Sequence, residues 1–375
     1  MTRLSIAALI LMNTMALAQR PQWTEKEAND WYAKQAWLVG SNYIPLYAVN
    51  QLEMWQADTF NPTRIDIELG WAEDLGMNTM RVFLHDMLWQ QDQGGFKRRI
   101  DRFLTIAKRH KIRPIFVLLD SCWDPFPVLG TQQAPRPGVH NSRWVQSPGA
   151  KALTDPALQF RFLNYVQEVV QSFNNDDRVL AWDLWNEPDN TNGSSYGPAD
   201  LRNKVELVQT LLPRVYVFAR AALPSQPLTS GVWKGDWSSR DKLSPMEKLQ
   251  IELSDVISFH NYGPPEEFEK RIEWLQAYKR PILCTEYMAR GNGSTFQGTL
   301  PIAKKHNVAA YNWGFAAGKT QTWLPWDSWQ HPYTDRQPAV WFHDIFTTEG
   351  KPYRQEEVNF IREIIGQKGK QGHRP

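Results

Sequence analysis

The chain has 375 residues, with 42 Lys or Arg against 40 Asp or Glu, so its formal net charge at neutral pH is +2. This near-neutral mixture excludes the concentrated basic face that nucleic-acid binding requires. The Cys and His residues show no ligand spacing, so we expect neither a metal site nor a cofactor. Tryptophan is the compositional outlier, with 18 residues. Its flat rings fill protein cores, but they also stack on the faces of sugar rings.

Residues 1–18 have the pattern of a secretory signal peptide. Arg3 precedes an apolar run that ends at Ala18, and Ala16 and Ala18 fit the small-x-small pattern of a cleavage site. The run is too short and too polar for a membrane span, and a buried first helix is the alternative. We expect cleavage after Ala18, a mature chain outside the membrane, and a secreted or periplasmic location. The sequence does not indicate an oligomeric state.

After this segment, short apolar strands alternate with amphipathic helices. Strands are predicted at 37–41, 79–84, 114–119, 179–184, 228–232, 256–259, 281–285 and 308–312. Helices are predicted at 62–75, 98–110, 156–173, 200–222, 265–278, 300–305 and 356–365, with a weaker one at 244–253. Strict alternation of this kind implies a parallel sheet that closes into a (β/α)8 TIM barrel. Since no segment resembles a linker, we predict one domain over residues 19–375.

Two segments are longer than a barrel needs. A minimal barrel takes about 250 residues, and the excess lies mainly at 120–154 after the third strand and at 314–338 after the eighth. Both loops project from the C-terminal face, where barrel enzymes keep their active sites. These two loops either line an open cleft or fold over it and close one end. The alternative is that they only pack as a cover over the barrel.

The two cysteines, Cys122 and Cys284, lie near the ends of the third and seventh strands. These strands are opposite one another in an eight-stranded ring, and a disulfide needs Cα atoms within about 7 Å. We therefore expect two unpaired, buried thiols.

Two glutamates carry the strongest chemical signal. Glu187 closes the fourth predicted strand in a Trp-Asn-Glu-Pro run, and Glu286 closes the seventh in a Thr-Glu-Tyr run. In a closed ring both point over the barrel mouth. Cleavage of a glycosidic bond with retention needs two carboxyl groups about 5 to 5.5 Å apart, one to donate a proton and one to attack the anomeric carbon.

These motifs resemble the retaining glycoside hydrolases of clan A, and family 5, the cellulase and mannanase family, is the nearest match. The resemblance covers the predicted barrel and implies that Glu187 is the acid/base and Glu286 the nucleophile. It further implies that Asn186 bonds the sugar 2-hydroxyl, and that Arg81 lies beside Glu286 and lowers its pKa. By the same resemblance Tyr262 positions Glu286, His260 bonds near Glu187, and Trp313 floors the subsite of the sugar to be cleaved.

The loops depart from the family pattern. Many members place a histidine after the third strand, where this chain has Asp120-Ser121-Cys122-Trp123-Asp124. We predict further substrate-binding residues at the strand ends, with loop packing as the alternative for each: Asn42, His85, Asp120, Trp123 and Trp233.

The sequence thus predicts an exported retaining β-glycosidase that acts on a β-linked polysaccharide or oligosaccharide of the mannan, glucan or xylan type. Endo and exo action both stay open. A transglycosylase would use the same residues, and a catalytically silent carbohydrate-binding barrel would keep the tryptophans without needing both glutamates.

Overall fold

The computed structural model describes residues 19–367, so the predicted signal peptide lies outside the described residues. Within them, eight parallel strands form one sheet in the order β5-β4-β3-β2-β1-β8-β7-β6. The strands are β1 Val39–Tyr43, β2 Thr79–Phe83, β3 Arg113–Val117, β4 Ala181–Asp183, β5 Leu228–Thr229, β6 Ile257–His260, β7 Ile282–Tyr287 and β8 Ala309–Asn312.

The two ends of this sheet meet through a single residue after β5. Val232 donates its backbone N–H to the Ser258 carbonyl at 3.0 Å and accepts from the His260 N–H at 2.9 Å. The ring is therefore nearly closed, which confirms the predicted (β/α)8 barrel.

The described residues form eleven α-helices, most of them on the outside of the ring. They are α1 Glu25–Tyr32, α2 Gln51–Trp55, α3 Pro62–Leu75, α4 Asp86–Arg109, α5 Ala150–Thr154, α6 Pro156–Ser172, α7 Lys204–Ala221, α8 Pro245–Leu253, α9 Pro265–Gln276, α10 Phe296–Lys305 and α11 Gln355–Ile365. None of the described helices is long and apolar enough to cross a bilayer.

Helix α1 was not predicted, and it belongs to the N-terminal end of the barrel. Its residues Ala28 and Tyr32 are buried in a small apolar cluster with residues from the N-terminal ends of several strands, among them Ile115, Leu283 and Ala309. The helix has a capping box, in which Thr24 and Glu27 satisfy each other's backbone N–H groups. This helix therefore covers the end of the barrel opposite the long loops.

The strand ends differ from the prediction where the two glutamates lie. Strand β4 ends at Asp183, so Glu187 stands in the turn beyond it, with a backbone φ of 41°. Strand β7 instead continues through Glu286 to Tyr287. Left-handed φ values are rare for a glutamate, and such strained residues concentrate at functional sites.

Both cysteines are free and buried, as predicted. Cys122 follows β3, and Cys284 lies in β7.

Candidate active site

Glu286 is held at both carboxylate oxygens. Arg81 of β2 donates to Oε1 at 2.7 Å, and the Tyr262 hydroxyl, just after β6, donates to Oε2 at 2.6 Å. The Glu286 carboxylate is thereby fixed in one orientation above the barrel.

The Arg81 guanidinium is itself fully buried and held by several acceptors. It bonds Asp183 at 2.8 Å, Asn42 Oδ1 at 2.8 Å and Asn186 Oδ1 at 2.7 Å. Burial lowers the pKa of Arg81, but its ion pairs with Asp183 and Glu286 raise that pKa by more. The guanidinium is thus a permanent positive charge beside Glu286.

Glu187 lies opposite, with different partners. Its Oε1 is 2.9 Å from His260 Nδ1, and its Oε2 accepts from Asn190 Nδ2 at 2.6 Å and from the Cys122 thiol at 3.3 Å. Among the described residues, no arginine or lysine bonds the Glu187 carboxyl group. A proton is therefore less unfavourable on Glu187 than on Glu286, which bonds the positively charged Arg81.

The two glutamates and His260 form a tight group, with one ligating atom from each lying within 4.8 Å of the others. By distance alone, these three side chains match a set of metal ligands. However, Arg81 already neutralises Glu286, and Asn190 and Tyr262 occupy one oxygen of each carboxylate. Since an oxygen of each carboxyl group lies within 4.8 Å of one from the other, the pair is closer to the separation of about 5 to 5.5 Å that retention needs than to the wider separation of inverting enzymes.

Burial dominates the acid–base behaviour of this group. It raises the pKa of Glu187, opposed by the hydrogen bonds from Asn190 and Cys122. Burial also raises the pKa of Glu286, opposed by the neighbouring His260 ring and by the positive charge of Arg81. Arg81 therefore lowers the pKa of Glu286, as predicted, but burial raises that pKa by more. Burial lowers the pKa of His260 to about 4, so its ring is neutral at neutral pH.

Residues 70–332 match the cellulase family, glycosyl hydrolase family 5. The chain belongs to that family. It is a glycoside hydrolase, as the sequence predicted, and no curated protein matches it.

Solved structures share the fold of this family 5 enzyme at low sequence identity. A GH5_18 protein from Streptomyces cattleya in complex with Manβ1-4GlcNAc is 12% identical with a TM-score of 0.59, and the match covers 90% of this chain and 82% of that one. The exo-β-1,4-mannosidase from an Opitutaceae bacterium is 17% identical with a TM-score of 0.57, covering 88% and 59%. The endo-β-1,4-mannanase from Thermotoga petrophila is 15% identical with a TM-score of 0.55, covering 92% and 80%.

A cavity of about 360 Å³ lies above the glutamates of this family 5 hydrolase. Three of the predicted substrate-binding residues line it, namely Trp313, Trp123 and Trp233. Asn186, Glu187, Tyr262 and Glu286 line it as well. The structure therefore brings the predicted catalytic and aromatic residues to one cavity.

Three other predicted substrate contacts do not line this cavity. His85 is fully buried and accepts from the Met87 N–H at the start of α4, which makes it a helix cap. Asp120 is buried beneath Asn186 and bonds its side chain at 2.9 Å. Asn42 bonds Arg81 and the Thr285 carbonyl. Asp120 and Asn42 bond neighbouring protein groups, whereas His85 Nε2 has no hydrogen-bond partner among the described residues, so direct sugar contact by these three residues stays a prediction.

Several residues of the site were missed. Trp144, His140, Asn190 and Trp326 line the cavity. Trp144 and His140 lie in the long loop after β3, and Trp326 lies in the loop after β8. Neither loop has a periodic hydrophobic pattern from which the direction of a side chain could be predicted. Asn190 had a detectable signal, since it stands three residues after Glu187 in a turn.

Proposed function

We propose that this protein is a retaining β-glycoside hydrolase in which Glu286 is the nucleophile and Glu187 the acid/base. The observation that carries the proposal is the pair of buried carboxyl groups within 4.8 Å of each other, one bonded to an arginine and one not. That difference in environment assigns the two roles, because the attacking group must be ionised and the acid must hold a proton.

In the first step, an Oε atom of Glu286 attacks the anomeric carbon as the bond to the leaving oxygen breaks. Glu187 gives its proton to that oxygen, so the aglycone leaves as a neutral alcohol and the sugar is esterified to Glu286. Asn186 lies beside both glutamates, and its amide is oriented by Arg81 and Asp120. We place the sugar 2-hydroxyl against this amide.

In the second step, Glu187 acts as a base. Esterification removes the negative charge of Glu286, which lowers the pKa of Glu187. The Glu187 carboxylate then takes a proton from a water molecule whose oxygen attacks the anomeric carbon, and the ester bond to Glu286 breaks. His260 supports this exchange because its neutral Nδ1 lies 2.9 Å from Glu187 Oε1.

We propose β-mannosides as the first substrates to test, followed by β-glucosides and β-xylosides. The support comes from the fold, since the structural neighbours include a β-mannanase and a β-mannosidase at 15% and 17% identity. Substitution of one sugar epimer for another changes only one or two hydroxyl contacts. We also propose that the enzyme acts outside the cytoplasm after removal of residues 1–18.

Azide rescue tests the roles of the two glutamates. Glu286→Ala is expected to abolish turnover and to form the inverted glycosyl azide when azide is added. Glu187→Ala is expected to retain some activity on activated aryl glycosides and to form the retained glycosyl azide. Full activity in either variant would end the assignment.

A panel of β-linked polysaccharides, oligosaccharides and aryl glycosides separates the alternatives. Hydrolysis excludes a silent carbohydrate-binding barrel, which would bind without releasing sugar. A transglycosylase would instead give longer products when a sugar acceptor is present.

A further inference from the structure

We infer that this enzyme is exo-acting and removes single sugars from the non-reducing end of its substrate, because loops joined above the barrel leave the active-site cavity one opening, beside Glu187. This inference rests on the proposed function and specifies the part of the substrate that the site accepts.

The first connection joins loops that start on opposite sides of the ring, after β4 and β8. Trp329 packs edge-on against Tyr196, with ring centroids 5.4 Å apart. The neighbouring Gln330 side chain donates to the Ser194 carbonyl at 2.8 Å. A span between opposite strands must pass over the barrel mouth.

The second connection joins the loops after β3 and β8. The Asn141 N–H donates to the Thr320 carbonyl at 2.7 Å, and the Tyr333 N–H donates to the Gly138 carbonyl at 2.9 Å. Trp123 and Trp329 stack with centroids 5.6 Å apart and planes at 12°. These two long loops are therefore one wall, which we call the β3–β8 wall and define as residues 136–145 and 318–333 together with Trp123.

The loop after β1 completes this wall. Asn50 donates to Gln132 at 2.8 Å and to the Arg143 carbonyl at 2.9 Å. The Lys319 N–H donates to the Leu46 carbonyl at 3.0 Å. Loops from β1, β3 and β8 thus hold each other on the same side of the mouth.

The space behind Trp313 is a pocket of about 20 Å³ bounded by aromatic rings, which is room for a water molecule but not for a sugar. Phe83 and Trp144 each lie 6.0 Å from Trp313 and 5.1 Å from each other, by ring centroids. Trp144 is fixed by its indole N–H, which donates to Asp120 at 2.7 Å. A sugar seated on Trp313 therefore meets side chains, not a second subsite, in this direction.

The cavity opens on the other side, toward the loops after β4 and β5. Its fully exposed lining residues all belong to the loop after β4, and they are Thr191, Gly193 and Ser194. Its other accessible lining residues are only partly exposed: Trp123, Asn190, Trp233, Tyr262, Trp313 and Trp326. The loop after β4 also carries Glu187, the group proposed to protonate the leaving oxygen, which Asn190 of the same loop bonds at 2.6 Å. The aglycone therefore extends into the opening, and the glycone lies in the closed part, where only a terminal sugar fits.

The test uses β-1,4-mannopentaose and cellopentaose whose reducing ends have been converted to alditols, with products resolved by chromatography at low conversion. We expect one unreduced monosaccharide and the shortened alditol-ended oligosaccharide as the first products. Early release of unreduced disaccharide or trisaccharide, or of a free alditol, would overturn the inference. Failure to cleave these substrates and every aryl glycoside would instead count against the proposed function.

A variant of the wall tests its cause. Trp329→Ala removes the contacts with both Trp123 and Tyr196, so we expect unreduced disaccharide to appear among its first products. Trp274→Ala, a tryptophan on the outer helix α9, is the matched control and should keep the wild-type product pattern. An unchanged pattern in a folded Trp329→Ala protein would refute the role of the wall, and the wild-type products remain decisive if that variant does not fold.

Discussion

At the scale of single residues, the proposed catalytic pair could be located from the sequence and one of its hydrogen-bond partners could not. Glu187 and Glu286 follow from strand ends in a ring, because the fold itself brings such positions together. The contact between the Cys122 thiol and Glu187 depends on the path of a loop, in which the next residue, Trp123, has a φ of 71°. No sequence period specifies such a turn. The thiol donates to Glu187, the proposed acid/base, at 3.3 Å.

The pH profile tests this contact. In the proposed mechanism activity requires protonated Glu187, so activity falls as pH rises through the pKa of Glu187. The Cys122 hydrogen bond lowers that pKa, and its loss in Cys122→Ala should therefore move the alkaline limb of kcat/KM to higher pH. Cys122→Ser keeps a donor and should leave the limb near its wild-type position. An unmoved limb in Cys122→Ala would show that the thiol has no part in tuning the acid.

At the scale of elements, local patterns predicted the existence of strands and helices better than their bounds. Helix α4 begins at Asp86, before the predicted residue 98, because His85 caps it and a kink at Asp92 joins two helical segments. Strand β5 has two residues, since its remaining pairing is a single bridge at Val232. Helix α8 appeared weak from its apolar pattern, but Ser244 and Glu247 form a capping box at its start. Strand pairing and helix capping decide these bounds. Of the two, only a helix cap can be recognised from neighbouring residues in the sequence.

Ser244→Ala tests the contribution of that cap. The variant leaves the Glu247 N–H without its side-chain acceptor, so we expect the free energy of unfolding to fall by about 1 kcal/mol. Urea denaturation followed by circular dichroism measures this change. The exposed Ser239 makes no side-chain cap, and Ser239→Ala should change stability by less than about 0.5 kcal/mol. Equal effects in the two variants would refute the role of the cap.

At the scale of the whole molecule, the barrel is covered at both ends by segments outside the strand–helix alternation. The long loops cover the C-terminal face, and their mutual contacts could not be predicted because they join distant segments without periodicity. Helix α1 covers the opposite end, and it escaped prediction because it precedes the first strand. Its buried face consists mainly of Ala28 and Tyr32, too few residues for a clear helical stripe.

Tyr32→Ala tests whether this N-terminal cover stabilises the barrel. Removal of a buried aromatic ring leaves a cavity in the cluster beneath the strands, so we expect a loss of roughly 3 to 5 kcal/mol in the free energy of unfolding. The kcat of the folded variant should stay near the wild-type value, because the active site lies at the other end of the barrel. Lys34→Ala, an exposed neighbour, is the control and should alter neither quantity. A Tyr32→Ala protein with wild-type stability would contradict the stabilising role of α1.

Because the active-site cavity has one opening, the leaving group, water and the products must pass through that opening in a fixed order. The esterified sugar lies in the closed part of the cavity, beside the β3–β8 wall. The aglycone must therefore leave through the opening beside Glu187 before water can reach the ester. The freed monosaccharide then leaves last by the same route and competes there with the next substrate. Product inhibition by that monosaccharide should accordingly be competitive, and any alcohol that replaces water must enter through the same opening after the aglycone has left.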